Sequence, residues 1–117
     1  EDKFSSNFAK GHLCENLVIA DIQKNFLNKG VRPQLYFWRD NTGNEVDCLV
    51  EDGLRLKHVE IKSGTTIREE FFKGLKFIDK ISGTSAKNNF LVYGGDDTYQ
   101  RSSGKVVGWS DTDTITG

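Results

Sequence analysis

Apolar residues recur along this chain with two different periods. From Phe8 to Lys29 the period is helical. At 100° per residue, Phe8, Val18, Ile19, Ile22 and Phe26 all fall within about 60° of Glu15. The spacing predicts a helix from about Phe8 to Lys29, with Gly30 as its C-cap and Pro33 just beyond. Residues 1–7 are polar and are expected to fray. Glu15 sits in the middle of the apolar stripe, where an unpaired carboxylate is costly, so it needs a partner. Leu13, Leu17, Ala20 and Leu27 form a second apolar strip on the opposite side. Such a helix is covered on both sides or has lost a neighbour.

Beyond Pro33 the period shortens to two. Gln34 to Arg39 reads as a strand, followed by a turn at Asp40-Asn41-Thr42-Gly43-Asn44. Glu45 to Val50 and Leu54 to Ile61 read as the two arms of a hairpin around Glu51-Asp52-Gly53. Thr66 and Glu69 have capping-box spacing, ahead of a helix from about Ile67 to Ile81. In that helix Phe71, Leu75, Ile78 and Ile81 mark the apolar face, and Lys73, Lys76 and Lys80 another face. Asn88 to Tyr93 reads as a buried strand, Lys105 to Trp109 as a last short one, and the remainder as a polar tail. The order is α-β-β-β-α-β-β. It predicts a single α/β domain over residues 1–117, a mixed β-sheet with flanking helices.

The hairpin carries the chemistry. With Asp52-Gly53 as the turn residues, Glu51 opposes Leu54, Asp47 opposes His58 and Glu45 opposes Glu60. Glu45, Asp47, His58, Glu60 and Lys62 then share one face with Leu49, Leu54 and Leu56. Val46, Cys48, Val50, Val59 and Ile61 share the other. Carboxylates held that close raise each other's pKa unless a cation or proton intervenes. Mg²⁺ keeps several waters and needs only one or two carboxylates, which Asp47 and Glu60 can supply. The Ile61 backbone carbonyl would add an oxygen, and Glu15 is a candidate outer or second-metal ligand. Lys62 is placed to orient an attacking water or to stabilise charge on a phosphate. The set is equipped for metal-assisted phosphodiester hydrolysis. The plain alternatives are a solvated charged face, and a structural ion pair of Glu15 with Arg39 or Lys62. His58 is expected to hydrogen-bond a neighbouring carboxylate rather than to bind metal. Trp38 and Trp109 are expected as core or rim aromatics.

Composition narrows the setting. With 28% charged and 36% hydrophobic residues, the chain has the balance of a soluble globular domain. No apolar run is long enough for a membrane span. A net charge of −1 gives no global attraction to nucleic acid, so DNA binding needs a local basic patch, and none stands out in the sequence. Cys14 and Cys48 make no disulfide framework and fit a reducing cytoplasm. The lack of methionine and the start at Glu1-Asp2-Lys3-Phe4 point to a domain excised from a larger protein.

Asp47 followed by Glu60-Ile61-Lys62 resembles the Asp…Glu-x-Lys signature of the restriction-endonuclease-like (PD-(D/E)xK) superfamily, and the element order is similar to its core. Within it, Gly11-His12-Leu13-Cys14-Glu15-Asn16, Tyr36-Phe37-Trp38-Arg39-Asp40, Glu45-Val46-Asp47 and Val59-Glu60-Ile61-Lys62-Ser63 resemble the uncharacterised C-terminal domain of bacterial and archaeal AAA-type ATPases. The resemblance spans roughly Gly11 to Trp109. Val46 departs from the pattern by standing where the motif carries proline. The resemblance implies a restriction-endonuclease-like fold, Asp47 and Glu60 as metal ligands, Lys62 as the catalytic lysine and Glu15 as the helix acid. It implies Mg²⁺ or Mn²⁺ as cofactor, DNA and an N-terminal ATPase domain of the same chain as partners, and a homodimer where both strands are cut. No Gly-x-x-x-x-Gly-Lys-Ser/Thr occurs, so no P-loop is expected here. Against the nuclease stands a non-catalytic docking or DNA-binding module that regulates the ATPase. A hydrolase of RNA is a weaker third reading.

Overall fold

The computed structural model describes residues 3–53 and 55–116, with side chains from residue 10 onward. The Phe8 side chain and Leu54, both used in the sequence reading, lie outside the described residues. Helix α1 spans Lys3–Asn28, starting five residues earlier than its apolar stripe suggests. Strands β1 (Gln34–Arg39), β2 (Glu45–Glu51) and β3 (Leu56–Ile61) follow. A 3-10 turn at Glu69–Phe72 leads into α2 (Lys73–Ser82), and another at Ala86–Asn88 leads into β4 (Asn89–Tyr93). The chain then forms β5 (Tyr99–Arg101), β6 (Gly104–Gly108) and α3 (Asp113–Thr116).

The strands form one mixed sheet in the order β1-β2-β3-β4-β6-β5. β3, β4 and β6 run parallel, and the other neighbours are antiparallel. One face is covered by α1, whose Val18, Ile22 and Phe26 pack with Cys48, Val50, Val59, Ile61 and Ile115. The other is covered by α2, whose Leu75 and Ile78, with Phe72, pack with Val46, Leu49, Leu91 and Val106. Each large apolar side chain buried this way contributes about 1.5–3 kcal/mol. The result is a three-layer α/β/α arrangement.

Other expectations change as well. The polar tail is in part α3, tied to α1 by Asn25 and Asp21 to Thr112 and by Lys29 Nζ to the Thr116 carbonyl. β5 was not foreseen, because it is three residues long and mostly exposed. The capping box does not form: no side chain caps the turn at Glu69. The Glu69 carboxylate instead accepts from Ser103 Oγ at 2.6 Å, Lys76 Nζ at 2.8 Å and Arg101 at 2.9 Å. These partners hold its pKa down to about 2. The hairpin register also differs: Glu51 pairs with Leu56 and Leu49 with His58, two residues away from the two-residue-turn register. The turn is longer, closed by the Asp52 N–H on the Arg55 carbonyl at 3.2 Å. An even shift keeps each side chain on its face, whereas an odd one would have reversed the strand.

Candidate active site

β2 does not alternate along its whole length. Tyr36 pairs with Leu49 but Trp38 pairs with Val46, so Asp47 and Cys48 together stand opposite the single residue Phe37. This is a β-bulge, which re-aims side chains and locally interrupts the ladder. Its effect is visible in the core. Val46 and Leu49 belong to the α2 side, and Cys48 and Val50 to the α1 side. The sequence reading placed Val46 with Cys48, and the bulge is the reason it does not lie there.

The bulge leaves the Ile61 N–H without a regular ladder acceptor, and the Asp47 carboxylate takes it, with Oδ2 at 2.8 Å. Asp47 is thereby drawn to the C-terminal end of β3, beside Glu60. Burial and the Glu60 charge raise its pKa to about 8, and Glu15 of α1 adds to the rise. The Ile61 N–H only partly offsets this. Glu60 is buried, and burial raises its pKa too, against the opposing pull of Lys62 and the Asp47 backbone N–H. Its Oε2 lies 3.3 Å from Lys62 Nζ, while its Oε1 is buried without a hydrogen-bond partner. Lys62 continues the parallel ladder by donating its N–H to the Val92 carbonyl at 2.8 Å. Its ammonium lies over the Phe71 ring, 5.1 Å from the centroid.

Glu60 and Lys62 open onto a cavity of about 280 Å³ walled by Glu45, Phe71, Lys73 and Gly74. Asp47 and Glu15 lie outside that lining. Gly74 sets the wall, because a Cβ there would overlap the Glu45 carbonyl. α2 can approach β2 this closely only at a glycine. The turns after β3 and β4 are also joined, by the Gly94 N–H on the Gly64 carbonyl at 2.8 Å.

The sequence-predicted set therefore divides. Asp47, Glu60 and Lys62 come together, with Glu15 beside Asp47 and Ile61 bound through its N–H. His58 does not join them. It is fully buried, with Nδ1 2.8 Å from Asn89 Oδ1 and 3.5 Å from Asp79. The two-residue register shift moves it away from Asp47. Neither ion pair considered for Glu15 occurs among the described residues, and Arg39 lies over Phe37 at 5.4 Å. Phe71 and Gly74 were missed as site residues. Phe71 read as ordinary core, and Gly74 interrupting a helical run was the available signal. Trp38 is half-buried, 5.9 Å from Phe77, and Trp109 is exposed. Cys48 is no nucleophile, since burial and Asp47 push its thiol up to about 11.

Among the described residues, no three His, Cys, Asp or Glu side chains are disposed to hold a metal ion, and no helix is long and apolar enough to cross a membrane. Neither a curated protein nor a solved structure matches the chain significantly. Residues 10–111, most of the length and all of the site, match the domain of unknown function DUF4143, and the chain belongs to that family.

Proposed function

We propose that this domain is a metal-dependent nuclease that hydrolyses DNA phosphodiesters, with a restriction-endonuclease-like fold and a place C-terminal to an AAA-type ATPase. The observation that carries the reading is the crowding of Asp47, Glu60 and Glu15. Burial and mutual repulsion raise the Asp47 pKa to about 8, and Glu60 keeps a buried oxygen without a partner. Two carboxylates are enough for Mg²⁺ or Mn²⁺, so the oxygen-only donor set fits a hard divalent cation even without a third acid in place. Asp47, Glu60 and the Ile61 carbonyl would hold it, with Glu15 behind Asp47. When bound, it would polarise the phosphate and make water more acidic. Lys62 would then place its ammonium against charge developing on the phosphate, while Glu60 and the Phe71 ring orient it.

The second reading, a non-catalytic docking or regulatory module, is favoured by the exposed Leu13, Leu17 and Leu27 on α1. Incubation with supercoiled plasmid and Mn²⁺ separates the two. Mn²⁺-dependent nicking that falls at least about 10²-fold in both Asp47→Ala and Lys62→Ala supports the nuclease. Intact plasmid, with no Mn²⁺ uptake by calorimetry, supports the module. Cleavage that survives both substitutions belongs to a contaminant.

A further inference from the structure

A second cavity, of about 500 Å³, lies at the opposite end of the sheet and is lined by Arg55, Lys57, Lys87 and Lys105 together with Phe90 and Thr114. Its lining contains no carboxylate. Lys57, Phe90 and Lys105 are each the second residue of β3, β4 and β6, so the cavity sits on the N-terminal ends of three adjacent parallel strands. Arg55 comes from the turn before β3 and Lys87 from the 3-10 turn before β4. Glu60 and Lys62 lie at the other end of β3.

Lys57 is the fixed member. It is buried, its Nζ donates to the Ile115 carbonyl, and it stands 3.7 Å from Asp52 and 5.6 Å from the centre of the Phe26 ring. Burial lowers its pKa, and the charges of Arg55 and Lys29 lower it further, against the pull of Asp52. Arg55, Lys87 and Lys105 form no ion pair among the described residues. In a chain of net charge −1, four cations thus converge on one concavity without an acid lining it. Like charges gathered this way repel unless an anion joins them.

We propose that this cavity binds a compact oligophosphate, a di- or triphosphate group that is free or carried on a nucleotide. A duplex presents its phosphates along a line and calls for a stripe of cations. Here the cations surround a single hollow, within the range of about 300–1,000 Å³ typical of small-ligand sites. An oligophosphate concentrates several charges in that volume and offers oxygens to each ammonium and to the Arg55 guanidinium.

Calorimetry with inorganic tripolyphosphate at low ionic strength tests the assignment. Saturable binding at a single site is expected. The exposed or half-exposed pair Lys87→Ala/Lys105→Ala should weaken it about tenfold or more, with the fold checked by circular dichroism. Lys24→Ala/Lys80→Ala removes two equally charged surface residues elsewhere and should leave the affinity unchanged. Adenosine triphosphate binding as tightly as tripolyphosphate identifies the phosphate chain as the recognised group, and tighter binding shows that the nucleoside takes part. Absence of saturable binding, equal weakening in both double variants, or Lys87- and Lys105-dependent binding of a DNA duplex alone would overturn the proposal.

Discussion

The two ends of the β-sheet pose opposite charge problems. At the C-terminal end of β3, Asp47, Glu60 and Glu15 crowd together, with Lys62 paired to Glu60. At the N-terminal ends of β3, β4 and β6, Arg55, Lys57, Lys87 and Lys105 crowd together, with Asp52 beside Lys57. A net charge of −1 averages over both opposed fields and reveals neither. The ends also differ in construction. The acid end is shaped by backbone irregularity, a bulge and a glycine. The basic end rests on regular strands and borrows its outer cations from turns.

The largest stability effect is expected from Gly74→Val, which forces a side chain against the Glu45 carbonyl. It should lower the melting temperature by about 10 °C. If the ends are independent, tripolyphosphate binding by the folded variant is unchanged, and a loss of both would join them.

Next is the pH dependence of Asp47. Its folded pKa of about 8 lies above the ordinary value of 3.8, so the unfolded chain releases the proton first. Stability should fall as pH rises from about 4 to about 8, and level off above that. Asp47→Asn removes this slope. In EDTA the variant should match the parent near pH 4 and melt roughly 4–8 °C higher at pH 9. An equal difference at both pH values would show that repulsion at the acid end is not the cause.

Ligand-induced shifts are expected to be of comparable size. Mn²⁺ at about a hundred times its dissociation constant should stabilise by about 2.7 kcal/mol, and so should tripolyphosphate. The Mn²⁺ shift should vanish in Asp47→Ala/Glu60→Ala and survive in Lys87→Ala/Lys105→Ala, with the reverse for tripolyphosphate. Cross-dependence would mean that one field governs the other. Glu69→Gln should cost least, about 1–2 °C, because its ion pairs are solvent-exposed. Thermal melts in 1 M salt should erase much of that difference.

Much of this arrangement was legible in the chain. The bounds of β1, the buried stripe of α1 and the all-buried β4 follow from their periods. The partnership of Asp47 with Glu60 and Lys62 also emerged, although through a register two residues off, because an even displacement preserves faces. The longer turn was hidden by Asp52-Gly53, whose local preference for a tight hairpin was overridden. The bulge was hidden because Val46 and Cys48 are both apolar and suit either core. Glu69 had capping-box spacing, but Ser103 and Arg101, more than 30 residues away, offered better partners. The basic cavity had no local signature at all. Its cations are spread from residue 55 to residue 105 and meet only when the parallel strands align.

The extra residue in β2 divides the strand into two phases, with Asp47 at the join. Deleting one position there would restore regular alternation and leave the faces of everything before it unchanged. Val46 would keep its dry seat under α2, now at normal spacing from Leu49, and only the re-aimed acid would be lost. A missing codon should therefore be absorbed here better than anywhere else in the strand, where it would exchange inside and outside.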